Sequence, residues 1–179
     1  MKRILPLLLI LSPSVALAHP GDDFGQYAGL LHPFTGADHL LAMVGVGLWA
    51  SLQAKARLAL PATFLTAMAT GFVLAAMGWT LPGTEPAILA SVILLGAAVT
   101  LSLRASLAVT MPLIAMFGLA HGSAHGTEGS GTAFAFGMLA ATAALHGTGA
   151  VLGLTLSRMT LRLAGAATII AGLGLAFTG

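Results

Sequence analysis

Charge is scarce along this chain, and where it falls decides what the rest can fold into. Residues 58–84, 86–103, 105–127 and 129–157 carry no charged side chain. Only 7% of the 179 residues are charged, 58% are hydrophobic, and the mean hydropathy is +0.99. A soluble domain carries roughly 25% charged residues, so no water-facing surface can be built from this composition. The apolar runs must face lipid.

A helix needs about 20 apolar residues to cross a bilayer. Dividing the chain at its charges and its Gly/Pro turns predicts six spans, near 27–52, 58–79, 86–103, 106–122, 131–156 and 160–178. The expected fold is all-α, a single polytopic transmembrane bundle over 19–179 with no soluble domain. Residues 1–18 read as a cleaved signal peptide. Lys2 and Arg3 precede the apolar run Ile4 to Leu11, and Ala16-Leu17-Ala18 is a small-x-small cleavage site. Lys55, Arg57, Arg104, Arg158 and Arg162 then fall on one side of the membrane, while Asp22, Asp23, Glu85 and Glu128 fall on the other. The positive-inside rule makes the basic side cytoplasmic. The expectation is a multi-pass protein of a bacterial inner membrane whose mature N-terminus, His19, starts on the non-cytoplasmic side. Gly45, Gly47, Gly71, Gly96, Gly149 and Gly153 are candidates for close helix contacts.

A net charge of +2 with no basic patch argues against nucleic acid as a partner. Cysteine is absent, so disulfides, thiolate metal sites and cysteine nucleophiles are excluded. No nucleotide-binding motif is present.

Ionisable groups inside a bilayer are expensive and usually mark an ion or substrate path. Five of the six histidines interrupt the apolar segments: His32, His39, His121, His125 and His146. Imidazole with carboxylate is a ligand set for borderline divalent metals such as nickel, zinc or copper. His32 and His39 are seven apart, with Asp38 beside His39. In a regular helix they would face the same way but stand roughly 10 Å apart along the axis. Either they are successive stations on one path, or Pro33 and Gly36 unwind the helix between them. His121 and His125 are four apart, a spacing that can place two imidazoles on one metal. Glu128 joins them if the helix continues, which Gly122, Gly126, Gly129 and Gly131 make doubtful. By depth, the expected arrangement is an outer vestibule of His32, His121, His125 and Glu128 above an inner cluster of Asp38, His39 and His146. The two motifs are expected to converge in space. His19, as an N-terminal residue, is a further candidate chelator.

At these residues the chain resembles the HupE/UreJ family of nickel permeases. The family pattern His-Pro-x-x-Gly-x-Asp-His is matched at His32, Pro33, Gly36, Asp38 and His39. The pattern His-Gly-x-Ala-His-Gly-x-Glu is matched at His121, Gly122, Ala124, His125, Gly126 and Glu128. Ala120 stands where the family often has an aromatic residue. The resemblance spans essentially the whole mature chain. It implies uptake of Ni²⁺, with Co²⁺ as the alternative ion, to supply a hydrogenase or urease. The ion is then substrate, and no permanently bound cofactor is expected.

The expected function is therefore facilitated or secondary ion uptake rather than enzymatic chemistry. Two other readings compete. One is an intramembrane metal-dependent hydrolase using His, Asp and Ser123; the other is a metal-delivery assembly factor that does not transport.

Overall fold

In a computed structural model of the chain, the described residues are 27–53, 57–129 and 131–178. They are helical apart from short connections, with no strand among them. The signal peptide, His19, Asp22, Asp23 and Lys55 lie outside the described residues. In chain order the helices are α1 (Ala28–Leu31), α2 (Ala37–Leu52), α3 (Ala59–Ala76), α4 (Thr84–Thr100), α5 (Leu107–Glu128), α6 (Thr132–Thr155) and α7 (Arg158–Thr178). A 3₁₀ turn, His32–Phe34, separates α1 from α2. Four helices are long and apolar enough to cross a membrane: α3, α5, α6 and α7. The two other apolar helices, α2 and α4, are shorter.

Two expected boundaries need correction. The first segment, 27–52, is not one helix. Pro33 has no N–H to donate to the preceding turn, so the α-helical bonding stops there although His32 itself stays helical at φ −54°, ψ −46°. The backbone tightens into the 3₁₀ turn, and Gly36 then leaves the helical region altogether at φ −103°, ψ 122°. The fourth segment does not stop near residue 122 but runs to Glu128. Its glycines do not break it because they lie against a neighbour's backbone. A Cβ on Gly118, Gly122 or Gly126 would run into the carbonyls of Phe64, Met68 and Phe72 respectively. These glycines recur every fourth residue, so α5 presents one smooth stripe to α3. Tight packing offsets their poor helix propensity of about 1 kcal/mol each.

The same device joins other pairs. A Cβ on Gly47 would meet the His146 carbonyl, and one on Gly149 would meet that of Val44, so α2 and α6 also touch backbone to backbone. Gly96 and Gly165 bring α4 to α7. Of the glycines expected at contacts, Gly71 and Gly153 also lie against a neighbouring helix, and Gly45 meets the Leu95 side chain.

Helix ends are closed by backbone bonds. After α3, the N–H of Trp79 reaches the Leu74 carbonyl (2.9 Å) and that of Gly78 reaches Ala75 (2.9 Å), with Gly78 at φ +89°. After α4, Leu103 N–H bonds Ala98 (2.8 Å) and Ser102 N–H bonds Val99 (3.0 Å). Both are the left-handed cap that satisfies the last carbonyls of a helix. The second turn also aims the Leu103 carbonyl at α2, where it accepts from Trp49 Nε1 (3.0 Å) and Gln53 Nε2 (3.1 Å).

The core is apolar, with Phe64, Phe117, Met43, Leu60, Met68, Ile88, Leu95, Ile114 and Met138 fully buried. The outside is apolar too. Leu58, Trp79, Phe136, Ile170 and Phe177 are largely exposed, as expected of a bundle solvated by lipid. Against this background the buried histidines stand out, because no other buried side chain among the described residues is ionisable.

Candidate metal centre

The break between α1 and α2 sets the site. By abandoning the helix at Pro33–Gly36, the chain turns His32 toward α5 and restarts at Ala37, leaving Asp38 and His39 in the first turn of α2. The unwound alternative for the His32–His39 segment is the one the fold adopts. Asp38 is therefore at a helix start rather than deep within a span. Its Oδ1 accepts the backbone N–H of His39 (2.8 Å) and the His39 ring nitrogen Nδ1 (3.1 Å). A carboxylate at that end of a helix is also favoured by the exposed N–H groups there.

The two motifs do converge. The His39 ring lies 4.7 Å from that of His121 and 4.4 Å from that of His125, centroid to centroid. The His32 ring lies 4.8 Å from that of His125. His32 Nε2 is 2.9 Å from Glu128 Oε2, and His125 Nδ1 is 3.4 Å from the same oxygen. His32, His125 and Glu128 each offer one ligand atom, and these atoms lie within 4.8 Å of one another. The expected division into vestibule and inner cluster is corrected. His39 belongs with His121 and His125, and only His146 stands apart. Between His121 and His146 lies the ring of Phe64, 5.4 Å from the first and 5.1 Å from the second. The order along the bundle is Glu128 with His32 and His125, then His39 with His121, then Phe64, then His146.

Hydrogen bonds from other residues decide which nitrogens of this column are free. His146 Nδ1 is 2.7 Å from the Met43 carbonyl, which can only accept, so Nδ1 carries the proton. Ser91 Oγ donates to the Ile88 carbonyl (2.6 Å) and so accepts from His121 Nε2 (3.0 Å). Asp38 accepts from His39 Nδ1. The opposite nitrogens, His39 Nε2, His121 Nδ1 and His146 Nε2, are buried with no hydrogen-bond partner, and so are both nitrogens of His125. A buried unsatisfied polar atom costs about 1–3 kcal/mol. One nitrogen of His125 must carry the ring proton, so the column offers four unshared imidazole lone pairs, one each from His39, His121, His125 and His146. An oxygen acceptor holding one imidazole nitrogen while the other stays open is how metal-ligating histidines are oriented. Imidazole and carboxylate also suit a borderline divalent cation.

Three contributors escaped the motifs. Ser91 is a hydroxyl in the middle of an apolar helix whose other hydroxyls, Thr84 and Thr100, stand at its ends, and Met43 acts through its backbone. Phe64 reads as an ordinary core residue. The signal that could have found one of them is Ser91, a polar side chain in the middle of a lipid-type segment, which the structure then shows fully buried. Ser123, which the hydrolase reading enlists, instead accepts the Leu81 N–H (3.1 Å) and ties the α3–α4 connection to α5.

The profile of the HupE / UreJ protein family matches residues 7–177. This chain belongs to the HupE/UreJ family. Protein HupE of Rhizobium leguminosarum bv. viciae is 40% identical over 177 residues, covering 91% of this chain and 91% of its own length. No solved structure matches the chain. The two sequence motifs meet in one column, half-exposed at Glu128 and buried from His125 inward. The 3₁₀ turn, α2, α5 and α6 supply its imidazoles, and α3 and α4 support it through Phe64 and Ser91.

Proposed function

We propose that this protein is a permease for Ni²⁺, with Co²⁺ as the alternative cargo, supplying a hydrogenase or urease. The observation that carries the reading is the column of imidazoles, with their tautomers set by Asp38, Ser91 and Met43 and their lone pairs unshared. The ion enters at His32, His125 and Glu128, where a half-exposed carboxylate offsets its charge. It passes to His39 and His121, with Asp38 behind His39. Each station offers few protein ligands, so binding is weak enough to let the ion leave.

In this reading the shorter helices α2 and α4 also cross the inner membrane, giving six passes after a cleaved leader. The entry end faces the non-cytoplasmic side, and Arg57, Arg104, Arg158 and Arg162 face the cytoplasm. An inward-negative potential then favours entry of a divalent ion by about 4.6 kcal/mol per 100 mV, twice the single-charge value. No nucleotide hydrolysis is needed.

The test is radioactive nickel uptake by purified protein in liposomes under an imposed inside-negative potential. Potential-dependent accumulation is expected, and its abolition by His39→Ala. Nickel binding without uptake would instead make the protein a delivery factor.

A further inference from the structure

We propose that His146 and Thr142 form a second, inner station for the divalent ion, separated from the upper column by the ring of Phe64. The inference rests on the reading of the upper column as an ion path.

His146 sits too deep to share an ion with the outer histidines. The Met43 carbonyl that fixes its ring lies one helical turn past His39 on α2, about 6 Å further along the axis. Phe64 packs beside Gly118, one residue short of a turn below His121 on α5. Its buried ring touches both His121 and His146. With Nδ1 committed to Met43, His146 has one donor left, Nε2, and that atom is buried without a partner.

Thr142 is the independent observation. It lies one turn before His146 on α6, on the same face. Helical side chains lean toward the helix N-terminus, so the imidazole lies over the threonine. A threonine in a helix ordinarily satisfies its hydroxyl on the carbonyl four residues back. Thr148 and Thr155 of this same helix do so, at 2.9 Å each, and so does the buried Thr110 on α5, at 3.2 Å. Thr142 is fully buried, yet its hydroxyl makes neither that bond nor one to His146. Two side chains one turn apart on the same helix face, an imidazole with a free lone pair and a hydroxyl with its lone pairs unused, thus lie buried in an apolar interior. An imidazole nitrogen and a neutral oxygen are ligands for a borderline divalent cation. Water that the ion carries completes its shell. No carboxylate stands among these groups, so the ion is held more loosely here than at Glu128. That gradient suits a site reached late and left readily. The Phe64 ring keeps the two stations from merging into one.

Equilibrium binding of radioactive Ni²⁺ to the full-length protein in lipid nanodiscs tests this, with a size-exclusion profile confirming the fold of each variant. The wild type is expected to bind two ions of unequal affinity. Thr142→Val, which preserves shape, and His146→Gln should each weaken the second ion at least tenfold and leave the first unchanged. Glu128→Gln should weaken the first and spare the second. A single ion that is sensitive to Glu128→Gln but not to His146→Gln would overturn the inner station and leave the upper site standing. Two ions unaffected by both α6 variants would overturn it equally. Absence of any bound ion would defeat both this inference and the ion-path reading on which it rests.

Discussion

At the scale of single residues, the chemistry turns on which imidazole nitrogen holds the proton. Asp38 accepts both the N–H and the ring Nδ1–H of His39 through one oxygen. An amide oxygen would keep an acceptor there but remove the charge. Asp38→Asn is therefore expected to reach the membrane at normal levels yet lose most nickel uptake, measured in cells lacking other nickel transporters. Near-normal uptake would show that Asp38 only positions the helix start. Glu128→Gln should be milder, because that side chain is 49% exposed against 25% for Asp38, and water can replace it. Ser91 is the sharper case, since it touches no ion. Ser91→Ala releases His121 Nε2 and lets the ring adopt either tautomer. Loss of such a supporting bond typically costs 10–100-fold in metal affinity. A rise of that order in the nickel concentration for half-maximal uptake is expected, and Ser91→Thr should restore it.

Elements are shaped here by glycine and proline used in opposite ways. In α5, Gly122 permits backbone contact with Met68. Adding one methyl there should force α3 and α5 apart and cost about 1–3 kcal/mol, seen as a lowered thermal midpoint in detergent for Gly122→Ala. Gly147, exposed on α6 with open space around its Cβ position, is the control. Gly147→Ala should leave the midpoint unchanged or raise it, because alanine favours the helix by about 1 kcal/mol. A like response from both would refute the packing argument. At the break before α2, Gly36 lies so close to the site that a Cβ would stand 2.9 Å from Asp38 Oδ1 and 3.2 Å from His39 Nδ1. Gly36→Ala should therefore impair uptake while α2 still forms. Uptake equal to wild type would mean that the Asp38–His39 pair has room to move.

For the molecule as a whole, the question is how the bundle sits in the membrane. The chain has no cysteine, so single cysteines can be placed and probed without background. In the proposed orientation, a cysteine at Trp79, between α3 and α4, reacts with a membrane-impermeant maleimide added to intact spheroplasts. One at Ser157, between α6 and α7, reacts only after the membrane is opened. The reverse pattern would invert the path, placing His32 and Glu128 at the cytoplasmic exit. Labelling of both from outside would show that α4 to α6 do not each cross the bilayer.

Much of this was legible in the residues themselves. Scarce charge and long apolar runs are local properties, so the all-helical fold and the approximate course of the helices could be read from them, though not where α2 starts or where α5 ends. The cost of ionisable groups in such runs singled out His32, Asp38, His39, His121, His125, Glu128 and His146 without a structure. Pro33 and Gly36 announced a break, though not its form. The glycines of α5 misled, because helix propensity says nothing about a neighbour close enough to compensate for it. What only the tertiary structure decided is the pairing between helices. His146 meets the Met43 carbonyl across a separation of 103 residues, and His121 meets Ser91 across 30. Those bonds choose the tautomers, and the tautomers choose which lone pairs remain for an ion. No periodicity or spacing along one helix records them, since each depends on the face that another helix brings alongside.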